Sequence, residues 1–157
     1  MKRAKLDKID KKILRDLQDN GRMTNVDLAK NVGISAPPCL RRVRALEESG
    51  FIDSYHAHLN PVALGYTVTV FASVSVDNHA EQKLKDFENY IKEFEKVREC
   101  HILTGDVDFL LKIVAKDWDD YQNFLSKHLT TAPGVSAVRS SLAVRALKVV
   151  PGVPVES

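Results

Sequence analysis

The chain has 157 residues, room for one domain or two small ones. Its 44% hydrophobic and 28% charged residues give a globular balance that excludes a disordered, fibrous or collagen-like chain. The net charge of +2 hides a division: residues 1–60 hold 12 Lys/Arg against 8 Asp/Glu, net +4, and the rest 11 against 13, net −2. The front of the chain is the half suited to a polyanion. No apolar run is long enough to span a bilayer, and the basic start, Met1 to Leu6, has no apolar stretch behind it, so a cytoplasmic protein without a membrane partner is expected. Cys39 and Cys100 are too few and too separated for a disulfide scaffold or a zinc site.

Ile9, Ile13, Leu14 and Leu17 make a helical stripe behind Asp7, which is placed to accept orphan N–H groups; this helix ends near Asn20-Gly21. A second helix starts at Thr24, with Asp27 three residues on, buries Val26, Leu28, Ala29 and Val32, and stops at Gly33. The third, Ala36 to Ser49, has Ser35 as its cap and Pro37 and Pro38 in its first turn, where proline is tolerated. Leu40, Val43 and Leu46 form its inward stripe, Pro37, Arg41 and Arg44 share an outward face, and Arg42 flanks the opposite side. Two helices joined by a tight Gly-containing turn behind a supporting helix form the pattern of a helix-turn-helix reader. The alternative is a plain three-helix subdomain with solvated arginines. Residues 1–52 are taken as this domain and 53–66 as a strand-like linker.

From Thr67 the grammar changes. Thr67 to Val76 alternates with period 2, putting Val68, Val70, Ala72, Val74 and Val76 on one side of a strand. Asn78 to Glu95 has helical spacing in Leu84, Phe87, Ile91 and Phe94. Val97 to Leu103 and Phe109 to Ala115 are strands joined by the turn sequence Thr104-Gly105-Asp106-Val107-Asp108. Asp117 to Leu129 reads as a helix, and Val135 to Val149 as a last long strand. The order βαββαβ predicts a ferredoxin-like plan over residues 67–149, in an α+β chain, with a tail at 150–157. Its sheet carries helices on one face, so the other face calls for a second subunit and hence a homodimer.

Motifs in both halves resemble those of the Lrp/AsnC, or feast/famine, family of transcriptional regulators, nearest to its leucine-responsive subgroup. They are Asp10 with Ile13-Leu14, Gly33-Ile34-Ser35, Cys39-Leu40-Arg41-Arg42-Val43, Leu46-Glu47 and Gly50-Phe51-Ile52 in the first half. In the second they are Glu99-Cys100-His101, Thr104 through Phe109, and Pro133-Gly134-Val135. The resemblance covers all but the last few residues. It implies an N-terminal winged-helix-like helix-turn-helix domain and a C-terminal ferredoxin-like domain that oligomerises and senses a small amino acid. It further implies dimers assembling into rings of four dimers, effector sites where dimers meet, and regulation of transcription by sequence-specific binding of double-stranded DNA. The neighbouring reading is a DNA-compacting architectural protein without an effector.

For DNA, the candidates are Ser35, Pro37, Arg41, Arg42 and Arg44, with Thr24 and Asn25 near the backbone. Capping alone would also explain Ser35 and Thr24, and Arg42 could serve solvent or Glu47. Lys2, Arg3, Lys5 and Lys8 add sequence-independent attraction. For the effector, a zwitterion needs a carboxylate for its ammonium and N–H donors for its carboxylate, and the loop with Gly105, Asp106 and Asp108 offers both. A turn built of turn-favouring residues is the plainer alternative. The leucine-responsive pattern carries over to Ile102, Asp108, Ser141 and Leu142, with Thr104 in the loop. Ser141 stands where that subgroup has an aromatic residue, which leaves room for an amino acid other than leucine. His56 and His58 lack a third ligand, Cys100 and His101 point to opposite faces of a strand, and Cys39 reads as packing, so neither an enzyme nor a cofactor is expected.

Overall fold

The structure is a computed structural model describing residues 5–77 and 81–156. Lys2, Arg3 and the expected start of the fourth helix at Asn78 lie outside the described residues. The chain divides into two compact units, Met1–Leu59 with Lys148–Ser157, and Asn60–Leu147. The C-terminal tail thus belongs with the helical unit, although the sequence runs into it from the other one.

In the first unit, α1 (Lys8–Asp19) opens with a capping box: Asp7 Oδ1 accepts from the Asp10 N–H at 2.8 Å, and Asp10 Oδ2 accepts from the Asp7 N–H at 3.1 Å. Helix α2 (Asn25–Val32) is capped by Thr24 and ended by Gly33 at φ 79°, a left-handed turn that favours glycine. Helix α3 (Ala36–Glu48) completes the trio around a core of Ile13, Leu28, Ala29, Cys39 and Leu46. The stripe differs from the expected one. Cys39, with Val43 and Leu46, faces inward at i, i+4 and i+7, whereas Leu40 is 38% exposed. The expected strand-like linker has no ladder pairing among the described residues and includes a 3-10 turn, Val62–Leu64.

The second unit is a four-stranded antiparallel sheet in the order β2-β3-β1-β4, built from β1 (Val68–Val76), β2 (Val97–Ile102), β3 (Phe109–Ala115) and β4 (Val135–Leu142). Alternate residues of the central strands, Val70, Ala72 and Val74 with Phe109, Leu111 and Ile113, are buried under α4 (Glu81–Lys92) and α5 (Trp118–Phe124). Phe87, Ile91, Tyr121 and Phe124 seal that side, each such burial contributing about 1.5–3 kcal/mol. Helix α5 stops short of the expected Leu129 and passes into a π-helical turn, Leu125–Leu129.

The last strand also ends early. Leu142 pairs with Val70 and the Ala143 N–H donates to Thr69 O at 2.9 Å, but β1 begins at Val68. An antiparallel neighbour therefore runs out of ladder, and Val144 and Leu147 continue as exposed chain instead of strand. The face away from the helices carries Phe71, Leu110, Lys112, Glu99 and His101, and Phe71 is 39% exposed.

Candidate functional site

Helix α3 offers its outward residues without competition. Arg41 and Arg44 are exposed and pair with no carboxylate among the described residues, and Pro37 is exposed one turn before Arg41. Ser35 sits at the cap but makes no side-chain cap hydrogen bond. An N-cap side chain accepts from the second or third helical N–H, and here those residues are Pro37 and Pro38, which have none. Its hydroxyl is therefore left for an external partner. Exposed Leu40 joins this surface, an apolar group suited to a thymine methyl. Its exposure was readable from Cys39 taking the inward position one residue earlier.

Three other expected DNA contacts are occupied within the chain. Arg42 Nη1 donates to Asp7 Oδ2 at 2.7 Å and to Asp10 Oδ1 at 2.6 Å, joining α3 to the capping box of α1 rather than to Glu47. The Asp10 N–H and then Arg42 hold the Asp7 carboxyl below its ordinary pKa. Thr24 accepts from the Asp27 N–H and donates to Asp27 Oδ2 at 2.5 Å, so its hydroxyl is spent on capping beside a carboxylate. Asn25 Nδ2 donates to Ala36 O at 2.9 Å and braces the entry of α3. Glu47 instead accepts from the Tyr55 hydroxyl at 3.0 Å; burial, then this carboxylate, pushes the phenol up to about 12.

The expected effector residues fall into two groups. Ile102, Thr104, Gly105 and Asp106 are exposed at the β2–β3 turn, with Gly105 at φ 129°. Asp108 stands behind them as a structural tie: its Oδ2 accepts from the Val76 N–H at 2.9 Å, and its N–H donates to Val74 O at 3.1 Å. Asp106 is thus the loop carboxylate better placed for an incoming ammonium. Ser141 and Leu142 stand on edge strand β4, level with Phe71 and Val70, whereas Ile102 is level with Phe109 and Val74. The two groups are separated by about 13 Å along the strands and about 14 Å across the sheet. One chain does not bring them together.

On the open face, Lys112 Nζ donates to Glu99 Oε1 at 2.7 Å, and this hydrogen bond depresses the Glu99 carboxyl. No group of three His, Cys, Asp or Glu able to hold a metal occurs among the described residues, and no helix of the described residues is long and apolar enough to cross a membrane.

Both units recur in known proteins. Residues 6–53 match a family model described as winged helix-turn-helix DNA-binding, and residues 69–153 one described as the Lrp/AsnC ligand binding domain. The chain belongs to the Lrp/AsnC family. It is 48% identical over 146 residues to a leucine-responsive regulatory protein of Rhizobium meliloti, covering 93% of this chain and 94% of that one. The leucine-responsive regulatory protein of Escherichia coli K12 is 40% identical over 143 residues, covering 91% and 87%. Among solved structures, a transcriptional regulator of Neisseria meningitidis in complex with L-methionine superposes with a TM-score of 0.92 at 35% identity, covering 96% and 97%. An AsnC family regulator of Agrobacterium tumefaciens gives 0.89 at 37%, covering 95% and 97%. This Lrp/AsnC protein is a transcriptional regulator with a DNA-binding domain and a ligand-binding domain, as its relatives are, and not an enzyme.

Proposed function

We propose that this Lrp/AsnC regulator binds operator DNA through Ser35, Pro37, Leu40, Arg41 and Arg44, and that a small amino acid sets which assembly of the protein does so. It acts in the cytoplasm as a homodimer whose open sheet faces meet over Phe71, assembling further to four dimers. The effector site forms where copies meet: Ile102, Thr104, Gly105 and Asp106 come from one chain, and Ser141 and Leu142 from another. Asp108 shapes that loop from behind, and no further cofactor is needed. The observation that carries this reading is the separation of the two effector groups on opposite edges of one sheet, a geometry that a second copy completes.

Each dimer spaces two reader helices for half-sites about one helical turn, roughly 34 Å, apart. The amino acid acts through its different affinity for alternative assemblies. The leucine-responsive names of the relatives and the L-methionine complex of a structural neighbour point to apolar amino acids. A thermal-shift screen of the purified protein against the common amino acids tests this, because a ligand that prefers the folded state raises its stability. A selective shift by one or two apolar amino acids is expected. No shift with any of them would contradict the sensor reading and favour a DNA-compacting protein without an effector.

A further inference from the structure

The C-terminal tail does not hang free. After β4 the chain exposes Val144 and Leu147, at 92% and 84%, and then from Lys148 onward joins the helical unit. There Pro151 to Glu156 form one wall of a groove of about 930 Å³, whose other walls include Leu14 and Leu17 of α1 and Phe51, Ile52 and Tyr55 behind α3. The seat is specific. The Gln18 side-chain amide makes both hydrogen bonds that a strand neighbour would make to Val153: Nε2 donates to Val153 O at 2.9 Å, and Oε1 accepts from the Val153 N–H at 3.0 Å.

Two further features fit an extended segment laid along a surface. Gly152, at φ 75°, lies so close to the Gln18 amide that a methyl group there would overlap it. Proline on either side of the bonded residue, at Pro151 and Pro154, limits the freedom lost on docking.

We infer that the side of α1 that carries Gln18 is the docking surface of this chain's own C-terminal segment, and that the docked segment carries the effector state from β4 to the reader helix. The covalent path is short. Val153 lies eleven residues beyond Leu142, the β4 residue placed in the effector site, and is bonded to Gln18 near the end of α1. Helix α1 starts at the Asp7–Asp10 box, which holds Arg42 of the reader helix. A change of position at β4 that pulls on the segment displaces α1, and the Arg42 ion pairs pass that displacement to α3. The inference rests on the amino-acid reading above for its input, while the docking itself does not.

The test uses the full-length protein and two variants, Gly152→Ala, which strains the left-handed turn and pushes the Gln18 amide away from Val153, and Gln18→Ala, which removes both hydrogen bonds. Amide exchange by NMR should find the Val153 N–H protected in the wild type and exchanging as open chain in both variants. An unprotected Val153 in the wild type would overturn the docking. DNA affinity is then measured with and without L-leucine or L-methionine. The wild type should change by roughly 5-fold or more, the lower range of such couplings, and the variants by no measurable factor although the amino acid still raises their melting temperature. A full response in variants whose Val153 is unprotected would overturn the coupling. If the wild type itself responds to no amino acid, the sensor reading and the coupling fail together, and protection at Val153 still decides the docking.

Discussion

The proposed binding surfaces of the two units are built in opposite ways. In the helical unit the proposed DNA surface lies on one side of one helix, where Ser35, Pro37, Leu40, Arg41 and Arg44 follow each other within ten residues. In the sheet unit the candidate residues sit at the β2–β3 turn and at the far end of edge strand β4, which is why the proposed effector site draws on more than one copy. A DNA reader can be finished inside a single chain because the duplex supplies the second surface. A sensor that reports through assembly is better left unfinished, because the ligand then favours the assembly that completes it.

If the units are built separately, they should also melt separately. Ile13 is the fully buried centre of the helical core, and Ile13→Ala should cost that unit about 2–5 kcal/mol. Calorimetry should show one transition lowered and the transition of the sheet unit unmoved. A uniform shift of both would mean that the halves fold as one cooperative block.

Within the reader, Arg41 and Arg42 are neighbours with different partners. Arg41→Ala should weaken operator binding by about 1–3 kcal/mol and, if it touches phosphate, lower the salt slope of binding by about one. Arg42→Ala should leave the salt slope unchanged and lower the melting temperature of the helical unit, because it loses Asp7 and Asp10. Equal salt slopes for the two variants would return Arg42 to the DNA surface.

The smallest effect concerns Tyr55. Its phenol has a raised pKa in the folded state, so the neutral form stabilises that state fully below the ordinary value near 10, and this contribution is lost as pH rises towards about 12. The ultraviolet titration of the wild type minus that of Tyr55→Phe should therefore show one phenol ionising near 12. Ionisation near 10 would deny both the burial and the Glu47 bond.

Much of the helical unit is legible in the sequence because its signals are local. Asp7, Thr24 and Gly33 mark helix ends, and the stripe spacing marks the buried sides. Arg42 escapes such reading because its partners stand 35 and 32 residues upstream, where only the packing of α3 on α1 brings them. Ser35 shows the reverse: prolines at the two following positions after Ala36 already imply a hydroxyl without a cap partner. In the sheet unit, alternation reveals β1 and β3, and turn residues reveal the hairpin between β2 and β3. Strand order is not written in any local pattern; that Ser141 and the Gly105 loop lie on opposite edges follows only from the ferredoxin-like plan as a whole, whose edge strands are β2 and β4. Nor does the sequence reveal that β4 must stop when β1 ends, or that the tail docks on Gln18.

The most direct test of the account mixes two defective variants, Asp106→Ala in the turn and Leu142→Ala on the edge strand. Each alone should lose the amino-acid response of DNA binding while keeping DNA binding itself. After subunit exchange, the mixed oligomers contain some sites with an intact turn from one chain and an intact edge from another. The account predicts that a fraction of the response returns on mixing. A mixture as unresponsive as its two parents, with exchange of subunits demonstrated, would contradict a site shared between copies.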